Sequence, residues 1–381
     1  MILIKSPSFY RAFILLLLLL LSFVLVSLRS EENSIKESKD KKSAERRVSF
    51  VFVGDIMFHG SQIKAAKLEG GKFDFSPSFR YVSSILKQAD FAAGNLETTF
   101  GGEPYSGYPA FSAPDTIAWF LKQAGFNVLT TANNHSSDKG RRGLTGTLKA
   151  LERLDFIHTG IFYDEKSKEQ LSPVYLEKNG LKVALLNYTY GTNNGGVGLL
   201  INKIDTTQMA QDIKKAKSNN ADAVIVSIHW GNEYERKPNV YQKKIADFLF
   251  RQGVNAIIGS HPHVIQGLEK REYYNPDDKT EAFCIYSLGN FISNQRWRYS
   301  DGGLLVKFNI VKRGKSLVSS AENFAYEPCW VHTYFTGSRK YYDIVPASEL
   351  QNDTARKSKM GADYFKMKQF IEDTRSLLES K

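Results

Sequence analysis

Residues 48–59 read VSFVFVGDIMFH. The apolar run 48–53 predicts a β-strand, and Gly54 and Asp55 end it. The same grammar recurs along the chain. Run 91–93 is followed by GNLE (94–97), run 128–131 by ANNH (132–135) and then Asp138, and run 223–228 by HWG (229–231). Run 256–258 is followed by GSHPH (259–263), and run 283–286 by SLGNF (287–291). In α/β sheets, ligands bind at the carboxyl ends of the strands. These strand ends therefore converge on one rim and carry Asp, Glu, Asn and His to it.

The segments between them complete the pattern. Further strands are expected at 156–159, 183–188 and 304–310. Amphipathic stretches at 77–88, 115–124, 144–154, 209–218 and 241–251 predict helices. Gly125 and Gly253 sit just past two of them, where a left-handed C-cap is wanted. Alternation of strands and helices argues an α/β domain. The late strands have fewer helices between them and imply a second sheet or an antiparallel edge. Residues 324–346, rich in Tyr, Phe, Trp and Pro, are expected to pack as strands and loops. The reading is one large domain over 48–346 and a polar tail over 347–381, helical near 362–378.

Composition narrows the class. The 381 residues are 42% hydrophobic and 24% charged, which excludes a disordered chain, a collagen-like fibre and a disulfide-stapled mini-protein. Only one segment is apolar enough to span a bilayer, so a polytopic membrane protein is excluded too. Lys and Arg number 51 against 40 Asp and Glu, a net +11. Seven of those charges belong to the domain from Val48 onward. A basic balance admits nucleic acid, an anionic surface or an acidic substrate. No nucleic-acid motif occurs and the basic residues are scattered, so no nucleic-acid partner is expected.

The rim is a metal-site inventory. Neutral imidazole suits Zn, Fe and Mn, and carboxylate and amide oxygens take harder ions. Two ions about 3.5–4 Å apart share an anionic ligand in the common design for phosphoester hydrolysis. His261 and His263 would diverge in an extended segment, but in a turn both rings can reach such a centre.

The ordered motifs GD at 54–55, GNLE at 94–97, YPAFSAP at 108–114, ANNHSSDKGRRGL at 132–144, HWGNEY at 229–234, GSHPHV at 259–264 and YSLGNF at 286–291 carry a resemblance. The chain resembles the CapA family, the poly-γ-glutamate capsule synthesis proteins of the calcineurin-like metallophosphoesterase superfamily. The resemblance implies a four-layer αββα sandwich and divalent metal ions, two of them. It makes Asp55 the first metal aspartate and Asn134 a ligand, with His135 as the acid aiding the leaving oxygen. His229 and His261 resemble ligands of the second metal, and His263 a ligand of the first. Two positions depart from the superfamily. Met57 stands where the first motif has histidine, leaving His59 as a candidate substitute. Asn95 stands at the bridging aspartate, and a neutral amide bridges two dications poorly, which moves that role to Glu97.

Other residues are candidates with ordinary alternatives beside them. Asp138 could orient His135, since catalytic and metal-binding histidines usually need an acceptor, or cap a turn. Arg141, Arg142, Arg296 and Arg298 could bind phosphate or carboxylate, or be solvated surface. Glu233 and Tyr234 could face substrate or form an ion-paired rim. Gly191–Gly198 reads as a lid or linker, and Asn290 as a turn residue. His158 and His332 read as packing, and Cys284 and Cys329 as lone buried thiols.

Lys5 and Arg11 precede an apolar run over 12–28, the grammar of a secretion signal or signal anchor. Residues 1–30 are expected to be an uncleaved anchor, with secretion of the domain if it is cleaved. The polar stretch 31–47 reads as a charged spacer. Its basic residues would keep that side cytoplasmic by a literal positive-inside count; the resemblance favours export to the cell envelope. The expected function is a membrane-anchored, exported metal-dependent hydrolase of phosphoesterase type. Its substrate would be an anionic or phosphorylated small molecule or polymer, with capsule-synthesis proteins as possible partners. The alternative is a non-catalytic or assembly protein that binds an anionic envelope polymer.

Overall fold

Side chains of the first strand point alternately to two cores. The computed structural model describes residues 21–22, 24–32, 45–195, 200–275, 278–313, 316–319, 324–352 and 354–379. Its strands, in chain order, are β1 Glu45–Ile56, β2 Phe91–Leu96, β3 Val128–Thr130, β4 Ile157–Thr159, β5 Val174–Lys178, β6 Leu181–Thr189, β7 Ala223–His229 and β8 Ala256–Ser260. Then follow β9 Leu268–Asn275, β10 Asp278–Ile285, β11 Asn290–Ile292, β12 Gly302–Arg313, β13 Ser316–Ser319, β14 Ala325–Thr336 and β15 Arg339–Pro346. With a side-chain period of two, Val48, Phe50 and Phe52 of β1 join Val183, Leu185, Ile225 and Phe283 in one cluster. Val51 and Val53 join Ile63, Phe79, Leu86 and Leu121 in another. A strand that is apolar at almost every position is thus buried on both faces.

Two sheets follow from this. Among the described residues the first has nine strands in the order β15-β14-β12-β1-β2-β3-β4, with β11 on β1 and β13 on β12. β1 to β4 pair in parallel, and β12, β14 and β15 add an antiparallel wing. The second sheet has six strands in the order β5-β6-β7-β8-β10-β9, parallel at the centre and antiparallel at both edges. Helices Thr206–Ser218 and Val240–Arg251 cover its outer face through Met209, Ile213, Ile245 and Leu249. Helix Thr116–Ala124 and helix Gly140–Arg153 cover the first sheet. The four layers are helix, sheet, sheet, helix, the αββα sandwich the resemblance implies.

Three departures from the sequence reading bear on the packing. β1 begins at Glu45, inside the stretch read as spacer, because Glu45–Arg47 pair with residues 311–313 of β12. The helix expected at 77–88 is two short turns, Ser76–Phe79 and Ser83–Leu86. Its link runs through a three-residue bond, Val82 N–H to Phe79 O at 3.1 Å, while Arg80 reaches Asp343. The polar tail is no appendix. Helix Ala362–Glu379 buries Met367, Phe370 and Ile371 in the cluster that holds Trp330 and Val345. Its apolar face covers β14, so the domain extends past 346.

Cys284 lies in the second sheet and Cys329 in the first, both buried and free. His158 is buried in β4, and burial pushes its pKa below the usual range. His332 stacks between Trp330 and Tyr334. Most of the apolar run 12–28 and of the stretch 31–47 lies outside the described residues. Among the described residues no helix is long and apolar enough to cross a membrane.

Replacing Phe370 with Ala removes a ring that is only 5% exposed. It should cost about 3–5 kcal/mol, read as a lower urea midpoint at constant slope. An unchanged midpoint would show that the C-terminal helix is ancillary.

Candidate metal centre

Two glycines let the strand ends close on one another. A Cβ on Gly54 would lie 1.9 Å from Gly289 O, and one on Gly259 would lie 1.9 Å from Tyr286 O. Only a bare backbone fits either place. Asp55 N–H donates to Gly289 O at 2.9 Å, and Leu288 N–H to Gly259 O at 3.0 Å. The turn at 287–289 therefore locks the end of β1 to the end of β8. His261 and His263 take φ of +99° and +58°, the left-handed region that costs a non-glycine residue about 1–3 kcal/mol. The turn sets both rings on the centre, with ring centroids 6.0 Å apart.

The side chains meet around two carboxylates without exposed surface, Asp55 and Glu97. Asn95 Nδ2 donates to Asp55 Oδ1 at 2.9 Å and to Glu97 Oε2 at 3.1 Å. Asn133 Nδ2 donates to Asn95 Oδ1 at 3.1 Å and holds that amide in place. His263 Nδ1 lies 3.0 Å from Asp55 Oδ2. His229 Nε2 lies 2.8 Å from Asn134 Oδ1, and its Nδ1 lies 2.9 Å from Ser260 Oγ. Burial pushes the Glu97 carboxyl well above the usual carboxylate range, and the Asp55 charge adds to this. Burial and then the neighbouring histidines push His229 well down, and burial and His263 push His261 down to about 3. The imidazoles are therefore neutral, the form that binds metal.

This donor set fits divalent ions. Ligand atoms of Asp55, Glu97 and His229 lie within 4.8 Å of one another, as do those of Glu97, His261 and His263. Glu97 is common to both groups. Its Oε1 has no hydrogen-bond partner, and neither has His261 Nδ1. A buried carboxylate oxygen without a donor is costly unless a cation meets it. In these groups His229 falls with Asp55 and His261 with His263, while His263 also lies beside Asp55 as the resemblance implies. Asn134 joins through its contact with His229.

His135 lies beside this centre. Its Nδ1 is 2.7 Å from Asp138 Oδ2, which also accepts Phe111 N–H at 2.7 Å. Phe111 meets the His135 ring edge-on at 4.7 Å. Asp138 thus serves as the acceptor that orients the ring. Asn193 Nδ2 approaches His135 Nδ1 at 3.3 Å, and Asn193 N–H donates to Asn134 O at 2.9 Å. The loop read as a lid or linker is therefore tied to the centre through its described part; residues 196–198 lie outside the described residues. The sequence does not single out Asn193, Asn133 or Ser260 as site residues. An asparagine in a Gly-Asn run and a serine beside a histidine carry no signal of their own.

A cavity of about 380 Å³ opens over His135 and His263. His59 lines it but joins neither ligand group. It precedes helix Gly60–Ala66, where its N–H donates to Gln62 Oε1 and its Nδ1 accepts Asn294 N–H at 3.2 Å. Burial pushes its pKa down to about 4. Asn290 is more than a turn residue: its buried Nδ2 donates to Gln295 Oε1 and Ser300 O, and β11 pairs with Asp55.

The four candidate arginines do not line the cavity. Arg296 lies over the Trp330 ring and donates to Val331 O, and Arg298 makes a two-bond pair with Asp373. Arg141 donates weakly to Tyr163 O on the surface, and Arg142 is exposed. A guanidinium near a planar ring or carboxylate is drawn to it whatever the distance to the site.

Comparison with known proteins places the chain. The family model described as Bacterial capsule synthesis protein PGA_cap matches residues 49–295. The chain is 29% identical over 327 residues to the capsule biosynthesis protein CapA of Bacillus anthracis, covering 82% of this chain and 75% of that one. It is 31% identical over 294 residues to the PGA biosynthesis protein CapA of Bacillus subtilis strain 168, covering 72% and 71%. A solved structure of NAD nucleotidase from Haemophilus influenzae aligns with a TM-score of 0.46 at 16% identity, over 87% of this chain and 60% of that one.

If Glu97 is shared by both groups, Glu97→Gln should cut metal retained per chain, by elemental analysis after dialysis, from about two equivalents to one or none. Retention at the wild-type level would show that Glu97 is not a ligand.

Proposed function

Because the chain belongs to the bacterial capsule synthesis protein family PGA_cap, we propose that it is a metal-dependent hydrolase of phosphoesterase type, acting on a phosphorylated substrate in the cell envelope. The observation that carries this is Glu97: fully buried, with an unpartnered oxygen, it stands in two ligand groups beside an oriented histidine. Asp55, Glu97, Asn134, His229, His261 and His263 would hold two divalent ions, of the Mn, Fe or Zn kind. Bound there, such ions supply Lewis-acid activation of water and of a phosphoryl oxygen.

The chain's own residues do the rest. Asp138 accepts from His135 Nδ1 and leaves Nε2 as the nitrogen that takes up and gives a proton. From there His135 gives a proton to the leaving oxygen. Phe111 fixes the ring plane by its edge-on contact. Asn95 and Asn133 hold the two carboxylates at one spacing, so no reorganisation is needed when substrate arrives. The envelope setting rests on the relatives, which are named for capsule and PGA biosynthesis. Within it, the N-terminal segment would hold an exported domain at the membrane.

A second reading has its own support. Asn95 already bridges Asp55 and Glu97 by hydrogen bonds, and Met57 offers no nitrogen ligand. A protein that binds an anionic envelope polymer without turnover, or that assembles with other capsule-synthesis proteins, would tolerate both. Elemental analysis separates the two, because a chain isolated without metal supports binding alone.

Tested on a phosphoester panel, His135→Ala should lower kcat by about 10²–10⁴ with metal content unchanged. Asp138→Asn should lower it by a smaller factor. Equal turnover by His135→Ala and wild type would remove His135 from the chemistry. For location, the full chain should sediment with membranes and its domain should be cut by protease added to intact cells. A protected, soluble chain would refute the anchored, exported arrangement.

A further inference from the structure

Tyr108, Tyr234 and Trp297 wall the cavity over His135 and His263, with Glu233, Asn294 and Gln295 between them. The three rings are 74%, 43% and 51% exposed. Exposed aromatic rings gathered on one concave surface mark a binding site. Tyr234 and Trp297 are held in place. Tyr234 takes φ of +66°, in the left-handed region, and its N–H donates to Pro262 O at 2.8 Å. Gln295 Nε2 donates to the Tyr234 hydroxyl at 3.3 Å, and Gln295 Oε1 accepts from the buried Asn290 amide at 2.9 Å. Trp297 meets the Tyr234 ring edge-on at 5.3 Å.

The charge of this wall is equally informative. Among the described residues that line the cavity there is no Lys or Arg, and Glu233 adds a carboxylate. Arg296 and Arg298 are taken up by Val331 O and Asp373. Along this wall a polyanionic chain would meet a like charge and no cationic side chain. The CH faces of a neutral ring pack well on aromatic faces, and its hydroxyls can donate to a carboxylate and pair with amides. We propose that the site takes the phosphoester of a carbohydrate. The sugar ring lies against Tyr108, Tyr234 and Trp297 with a hydroxyl on Glu233, and the phosphoryl group reaches the carboxylate and histidine centre. This rests on the hydrolase reading above. In the reaction, a water oxygen bonds to phosphorus and the bond from phosphorus to the sugar oxygen breaks. That oxygen takes the proton of His135, and the proton lost by the water restores it.

The test uses the full-length, metal-loaded protein, with calorimetric titration and hydrolysis measured side by side on glucose 1-phosphate and glycerol 3-phosphate. A γ-glutamate oligomer serves as competitor. Glucose 1-phosphate should bind at least tenfold more tightly than glycerol 3-phosphate, and the oligomer should not displace it. Trp297→Ala, and separately Tyr108→Ala, should reduce that tenfold ratio to near one with unchanged melting curves. Equal binding of the two phosphates, displacement by the oligomer, or a ratio that survives both substitutions overturns the proposal. Ring-selective binding without turnover overturns the hydrolase reading and leaves the carbohydrate site standing. Turnover without ring preference does the reverse, and no binding at all overturns both.

Discussion

Two carboxylates without solvent exposure, Asp55 and Glu97, lie side by side at the end of the first sheet. Burying one ionised carboxylate costs several kcal/mol, and two adjacent ones repel as well. The groups that meet them are an asparagine amide and the imidazole of His263. No fold keeps such a pair for stability, since apolar residues of similar volume would serve better. The surrounding architecture follows from holding these oxygens together. β1 and β2 deliver them, the turns after β3, β7 and β8 bring the nitrogen and amide ligands, and bare glycine backbones let those ends touch.

The net positive charge of the protein does not gather at this site. Two guanidinium groups that looked suited to substrate are spent on packing, Arg296 over Trp330 and Arg298 on Asp373, and Arg141 and Arg142 lie on the surface. The cavity wall is aromatic, amide and acidic instead. Net charge therefore describes how this chain meets distant surfaces, and the lining of the cavity describes what it selects. The C-terminal helix links the two. Asp373 anchors the loop that carries Trp297, and Arg236 donates to Asp373 O from the loop that follows His229.

Much of the centre was legible because strand ends are short and local. A run of apolar residues that stops at Gly-Asp or Gly-Ser-His announces both the strand and the side chain at its tip, and the parallel order of strands makes those tips neighbours. Asp138 was legible for a related reason, as it lies one helical turn from His135. His59 and the arginines were not. His59 sits three residues beyond the strand end, and the next helix takes it up. Arg296 and Arg298 have partners far away in sequence, Val331 and Asp373, and Arg141 and Arg142 stay on the surface. The helix near 370 was legible as a helix but not as core, because its covered face holds few apolar residues among many charges.

By itself the amino-acid sequence determined the α/β class, the strand ends and the kinds of ligand atoms they carry, because hydrophobic period and residue chemistry are local properties. It also placed the chain among proteins with the same ordered motifs. Tertiary structure alone decided that Glu97 belongs to both ligand groups, that Asn95 clamps two carboxylates, and that the cavity wall is aromatic and acidic. Those facts depend on distances between residues as far apart in the chain as Met57 and Trp297, and only the packing of two sheets sets such distances.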